Sequence, residues 1–222
     1  MSTAADRYRA VREEVPAEAT IIVVTKFHPV GLVRELAEAG ARDFGENRHQ
    51  EAAAKAAELR SMPALDGPPP RWHFVGQLQS NKAKAVLEYA DVIHSLDRES
   101  LLAPLRDSGV GAFIQVNLTE DPARGGVPPG KLPAFVERVL ETPGIRLLGL
   151  MAVAGLGAEP RREFARVRAL RDEAVLPIAP QAAALSMGMS GDWREALAEG
   201  ATHLRIGTAI TGNRPGPAYA RT

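Results

Sequence analysis

Short runs of β-branched and apolar residues recur along the chain, and each is followed by a charged segment whose apolar positions repeat at helical spacing. The runs TIIVVTK (20–26), ARDFG (41–45), WHFVG (72–76), DVIHS (91–95), AFIQVN (112–117), IRLLGLM (145–151), ALSMG (184–188) and THLRIG (202–207) predict eight strands. Helices are predicted between them over 30–39, 49–60, 81–89, 98–108, 131–141, 161–174 and 192–199, and an opening helix over 4–15 precedes the first strand. The plainest of these is REFARVRALRDEA, in which Phe164, Val167 and Leu170 share one face.

Strands alternating with helices define an α/β chain with a parallel sheet, either closed as a (β/α)8 TIM-type barrel or open and doubly wound. Barrels typically run to about 250 residues, so a chain of 222 needs short loops. The Pro-rich segment MPALDGPPPR (62–71) joins a helix to a strand and is expected to be a surface loop. No second domain is predicted. One domain is expected over 1–222, with its core at 20–212 and a loosely held Pro/Gly-rich tail at 213–222.

Charge narrows the functional classes. Lys and Arg number 27, as do Asp and Glu, so the formal net charge is zero and a broad nucleic-acid interface is not expected. With no cysteine, disulfides, Cys-ligated zinc and thiol catalysis are excluded. No apolar run approaches the roughly 20 residues that cross a bilayer, and MSTAADRYRAVREEV has no apolar signal core. A soluble cytoplasmic protein with no membrane partner is expected. No two of the five histidines lie within four residues of each other, so a helical two-His metal site is absent. Their spacing from His28 to His94 reflects the length of a β/α unit.

In parallel α/β folds the working residues lie at the C-terminal ends of strands. Lys26 ends the first run. Beside so much apolar surface it is expected to be partly desolvated, which favours a nucleophilic amine of the Schiff-base kind; the plainer reading is a lysine that snorkels to water. LSMGMSGDW (185–193) and LRIGTAITGNR (204–214) each pass from strand to helix through Gly and hydroxyl residues, as phosphate sites after strands 7 and 8 of barrels do, although such glycines also serve as plain turn formers. Ser186 and Ser190 lie outside a GxSxG elbow, and phosphate donation is the simpler role for both. Barrel closure would set strand 8 beside strand 1, bringing Lys26 next to the segment 205–208. One small ligand, an aldehyde bearing a phosphate such as pyridoxal 5′-phosphate (PLP), would then span both.

The segments VTKFHP, FGENRHQE, WHFVGQLQSNK, GLM, LSMGMSGDW and RIGTAITGNR, in that order from Ile21 to Arg214, resemble the YggS/PROSC family of pyridoxal phosphate homeostasis proteins. The resemblance implies a (β/α)8 barrel like the alanine racemase N-terminal domain, with PLP held as an aldimine of Lys26. It further implies that Ser190, Gly207 and Thr208 hold the phosphate, that Arg205 faces the pyridine nitrogen, and that Asn47 and His73 lie near the cofactor. The implied function is intracellular PLP (vitamin B6) homeostasis and supply without catalysis. Implied partners are PLP and, transiently, PLP-dependent apoenzymes or B6-pathway enzymes.

The alternative is a PLP-dependent racemase or lyase acting on a small amino acid; a third possibility is a barrel enzyme for a phosphorylated metabolite. Against efficient racemisation, alanine racemase takes its second acid/base, a tyrosine, from an added domain. Here Tyr8 and Tyr89 are predicted in helices and Tyr219 in the tail. Without that domain a monomer is expected. Two positions depart from the family pattern: Arg124 stands where Lys is usual, and Thr211 where Phe is usual.

Overall fold

The computed structural model describes residues 2–65, 67–119, 121, 124–155 and 157–213. Eight parallel strands pair in chain order and close into a barrel: β1 Thr20–Val24, β2 Asp43–Glu46, β3 Arg71–Phe74, β4 Val92–Leu96, β5 Gly111–Gln115, β6 Arg146–Met151, β7 Ala184–Ser186 and β8 His203–Ile206. All eight predicted strands form, each within three residues of its expected limits. The closing seam pairs Ile22 with Arg205 and Val23 with Ile206, so the first and last strands are neighbours as closure requires.

Helices α2 (Val30–Glu38), α3 (His49–Ser61), α4 (Ala83–Val86), α5 (Leu102–Leu105), α6 (Leu132–Leu140), α7 (Pro160–Leu170), α8 (Trp193–Ala198) and α9 (Thr208–Thr211) follow the eight strands in turn. Two of them are shorter than their apolar patterns predict. Pro104 has no N–H to give to a preceding turn, so the segment after β4 begins as a 3₁₀ turn, Glu99–Leu101, and becomes α-helical only at Leu102. The segment after β3 likewise opens as a 3₁₀ turn, Ser80–Lys82, and leaves α geometry after Val86, so Tyr89 lies in a turn rather than a helix. At the other extreme α7 runs on into a π-helical turn, Arg171–Val175.

The opening helix α1 (Ala4–Glu14) is started by a capping box. Thr3 accepts from the Asp6 N–H while Asp6 accepts from the Thr3 N–H. It lies against α2 and α9. Its Arg7 Nε donates to the carbonyl of Ile210 at 2.7 Å, and Ala5 N–H donates to Glu35 on α2 at 3.1 Å. Helix α1 thus bridges α9, a single turn packed on β1, and α2. The residue range 214–222 lies outside the described residues, so the expectation of a loose tail concerns a segment not described; the loop after α3 is described except for residue 66.

Strand alternation sends one face outward to the helices and the other into the barrel. The outward face makes the main core, which includes Phe44, Trp72, Phe74, Ile93, Ile114, Leu150, Leu185, Leu204 and Ile206. The apolar part of the interior includes Ile22 on β1 and a small cluster of Val92, Phe113 and Met151, with Leu148 and Ala184 against it. Barrel interiors are usually filled by branched aliphatic residues. Here the buried inward positions also include Asp43, His73, His94, Ser186 and Arg205, and that polar content is what positions the site.

Candidate functional site at the C-terminal rim

β1 delivers Lys26 to the C-terminal rim with its side chain exposed. The expected partial desolvation is therefore not what the structure shows: Thr25 before it is buried, but Lys26 itself is exposed. What the structure builds instead is a clamp on the backbone either side of Lys26. The buried Lys55 of α3 donates to the Thr25 carbonyl at 2.8 Å, to Glu46 Oε1 at 2.7 Å and to Glu51 Oε1 at 2.8 Å, using all three of its protons. Thr25 Oγ1 donates to Glu46 Oε1 at 2.7 Å, and Phe27 N–H donates to Glu51 Oε1. Phe27 is held at φ 69°, a left-handed conformation that a bulky residue adopts only when its surroundings impose it. Burial pushes the Glu46 carboxyl up from its ordinary range, while Lys55 and Thr25 pull it back.

Asn47 follows β2 on the same rim. Its Oδ1 is buried without a hydrogen-bond partner among the described residues, and its backbone lies hard against Gly76 at the end of β3, where any Cβ would come within 2.3 Å of the Asn47 carbonyl oxygen. The loops after β7 and β8 meet at Ser190, whose Oγ accepts from the N–H groups of Gly207 and Ala209, both at 3.2 Å. Gly188, at φ 89°, permits the turn: a Cβ there would sit 2.6 Å from that of Ala196. Gly207 in turn lies beside Val24, two residues before Lys26. Lys26, Asn47, Ser190, Gly207 and Thr208 therefore share one end of the barrel.

Arg205 lies one layer deeper, on the inward face of β8 and 5% exposed. Nη1 donates to Ser186 Oγ at 2.7 Å and Nη2 to the Ala152 carbonyl at 2.9 Å. Burial pulls its pKa down to about 10, with distant Asp192 acting in the opposite direction, so it stays charged at neutral pH. Ser186 is thus engaged inside the barrel and is not one of the donors at the rim. His73 is deeper still, with both ring nitrogens taken: Nε2 lies 2.8 Å from Asp43 Oδ1 and Nδ1 lies 2.9 Å from His94 Nε2. His94 stacks on Phe113 at 4.6 Å between centroids, and its Nδ1 lies 2.9 Å from Ser186 Oγ.

At the positions that depart from the resembled pattern, Arg124 reaches the Ala154 carbonyl across the β6–α7 loop at 3.4 Å, and Thr211 is buried at the end of α9. Tyr89 is buried, stacked on His49 at 5.9 Å, and burial raises its pKa, the opposite of what a catalytic base needs. Among the described residues no group of three His, Asp or Glu side chains is placed to hold a metal, and no helix is long and apolar enough to cross a membrane.

The closed barrel is a fold that known proteins share. Residues 1–215 match the family described as alanine racemase, N-terminal domain. The chain is 40% identical over 205 residues to the pyridoxal phosphate homeostasis protein of Pseudomonas aeruginosa, covering 90% of this chain and 86% of that one. It is 36% identical over 207 residues to the protein of that name from Escherichia coli, covering 90% and 87%. Among solved structures, PipY of Synechococcus elongatus PCC7942 with PLP bound superposes with a TM-score of 0.85 at 38% identity, covering 95% of this chain and all of that one. Alanine racemase of Corynebacterium glutamicum, 16% identical with a TM-score of 0.70, shares the fold over 93% of this chain and 59% of its own. The chain belongs to the alanine racemase N-terminal domain family and, within it, to the pyridoxal phosphate homeostasis proteins.

Two predictions follow from the buried charges. Lys55→Met leaves Glu46 without its cation in a fully buried site and is expected to cost about 3–5 kcal/mol in urea unfolding, much of it recovered in the Lys55→Met/Glu46→Gln double variant. Burial pulls His203 down to about 4 and His94 well below its ordinary value. Unfolded histidines take protons near pH 6.5, so below that pH the unfolded chain binds more protons and stability falls. Each of the two contributes up to about 1.4 kcal/mol per pH unit, partly offset by Glu46. The unfolding free energy at pH 5.5 is expected about 2 kcal/mol below that at pH 7; a flat profile would contradict neutral burial.

Proposed function

We propose that this protein binds pyridoxal 5′-phosphate covalently through Lys26 and serves its storage and supply rather than a catalytic turnover of its own. The observation that carries the reading is the β8–β1 seam, which puts the Lys26 segment beside Gly207 with Arg205 one layer beneath. The residues present fit the group. A phosphate needs converging donors, and the Ser190 hydroxyl meets the N–H groups of Gly207 and Ala209 at the first turn of α9. A pyridine nitrogen needs a donor for its lone pair, and Arg205 is a buried donor whose hydrogen bonds run only to neutral acceptors. When bound, PLP supplies an aldehyde that condenses with a primary amine, with loss of water.

Within this reading, Lys26 provides that amine from an exposed position, so an incoming amine can compete for the same aldehyde. Ser190, Gly207 and Thr208 hold the phosphate, and Asn47 lies beside the ring. Arg205 donates to the ring nitrogen but, staying charged at neutral pH, does not yield it a proton, so the ring is a weaker electron sink than one paired with a carboxylate. His73 acts through its neighbours, since both of its nitrogens are engaged within the protein. The described tyrosines offer no base: Tyr8 is buried in α1, and burial raises the pKa of Tyr89. The same surface then meets PLP-dependent apoenzymes transiently.

Lys26→Ala tests this. The variant is expected to unfold with wild-type stability, because the side chain it removes is exposed, and to lose the visible absorption of the lysine-bound cofactor. In deuterated water, wild type with added amino acids is expected to show no Cα exchange beyond a free-PLP control. Retention of the visible band in Lys26→Ala would overturn the attachment. Exchange that disappears in Lys26→Ala would move the reading to an enzyme.

A further inference from the structure

Arg205 is a buried cation with no carboxylate in contact among the described residues, an arrangement that ordinarily disfavours the charged form. Among the described residues, the carboxylate reached through hydrogen bonds is Asp43, the first residue of β2. The path between them is continuous: Arg205 to Ser186 at 2.7 Å, Ser186 to His94 at 2.9 Å, His94 to His73 at 2.9 Å, and His73 to Asp43 at 2.8 Å. Five side chains from β8, β7, β4, β3 and β2 thus form a single file through the barrel.

With both rings neutral and Asp43 a carboxylate, every link takes one direction. Arg205 can only donate, so Ser186 Oγ accepts from it and has its own proton free for His94 Nδ1. His94 then carries its proton on Nε2 and gives it to His73 Nδ1. His73 carries its proton on Nε2 and gives it to Asp43, which accepts as a carboxylate. Burial works to raise the Asp43 carboxyl, but hydrogen bonds from His73 and Arg71 outweigh it and hold the group below its ordinary value. In this arrangement both rings are Nε2–H tautomers, and all four bonds point toward Asp43. Running the inner links the other way would require His94 with its proton on Nδ1 and His73 as a cation. The charged and titratable neighbours of the file are Arg71 beside Asp43, His203 near His94, and Asp192 acting on Arg205.

We propose that Asp43, His73, His94 and Ser186 form a positioning relay, which orients the Arg205 guanidinium and brings the influence of the Asp43 charge to it. The electrostatics of the residue facing the cofactor ring are then set from the N-terminal end of the barrel. Aligned hydrogen bonds polarise one another, so the file acts on Arg205 as a unit rather than as separate contacts. The part concerning the ring rests on the function proposed above; the relay itself does not.

The test has two arms. In the first, ¹⁵N NMR of the histidine ring nitrogens is recorded on cofactor-free full-length protein at pH 7.5, with His73→Gln and His94→Phe used only to assign signals. Both rings are expected neutral with the proton on Nε2. A proton on His94 Nδ1, or a cationic His73, would overturn the relay whether or not PLP binds.

In the second arm, PLP affinity and the absorption maximum of bound PLP are measured for Asp43→Asn, Ser186→Ala and the double variant. Asp43→Asn keeps an acceptor for His73 while removing the charge. Each single variant is expected to weaken binding roughly 5- to 30-fold and to shift the band in the same sense. The double variant is expected to match the weaker single variant rather than the product of the two, and Ser186→Thr, which keeps the hydroxyl, is expected to bind more tightly than Ser186→Ala. Multiplicative losses, or singles indistinguishable from wild type, would overturn the coupling. Wild type that takes up no PLP would instead refute the proposed function, leaving the first arm to decide the relay.

Discussion

Closing eight parallel strands forces the inward side chains of every strand into one narrow space, and in this barrel that space must accommodate a guanidinium. A charge so placed is tolerated only if its hydrogen bonds are satisfied and an opposite charge is felt. Arg205 donates to Ser186 and to the Ala152 carbonyl, and its path to an anion runs through Ser186 and two histidines to Asp43. The composition of the interior follows. The apolar part shrinks to Ile22 and a patch around Phe113, on which His94 stacks and against whose edge His203 lies at 5.0 Å. The hydrophobic core that stabilises the fold is displaced outward, between sheet and helices.

The rim obeys a different rule. The Lys26 side chain is exposed, with its ammonium 6.0 Å from the Phe27 ring centroid, while the peptides before and after it are pinned by the Lys55, Glu46 and Glu51 cluster. Backbone position is fixed and the amine is left open. A protein that must hold a cofactor and also release it needs both properties together. The interior layer sets the charge that a ligand ring would meet, and the rim layer sets where its aldehyde and phosphate can reach. The helix α1 ties the two termini of the barrel together by holding the carbonyl of Ile210 and the side of α2.

The barrel was legible because its strands and helices alternate with little interruption, and all eight strands fall where the apolar runs lie. The rim residues Lys26, Ser190 and Gly207 were legible because strand ends and Gly-rich turns carry positional meaning in such folds. The interior was not. His73 and His94 lie 21 residues apart, a spacing that reads as no more than the length of a β/α unit. In a parallel barrel, equal positions in successive units are spatial neighbours, so that spacing also placed the two rings in contact. Asp43 and Ser186 carry no local signal, since their roles come from strand register alone. The desolvation expected for Lys26 was misjudged because Lys26 lies two residues past the last residue of β1, where the side chain is exposed.

The most direct measurement is borohydride reduction of the purified protein after incubation with PLP, followed by peptide mass analysis. A single phosphopyridoxyl adduct on the peptide containing Lys26, absent when inorganic phosphate competes at high concentration, is the predicted result. An adduct spread over surface lysines, or none at all, would contradict the assignment of the C-terminal rim as the cofactor site.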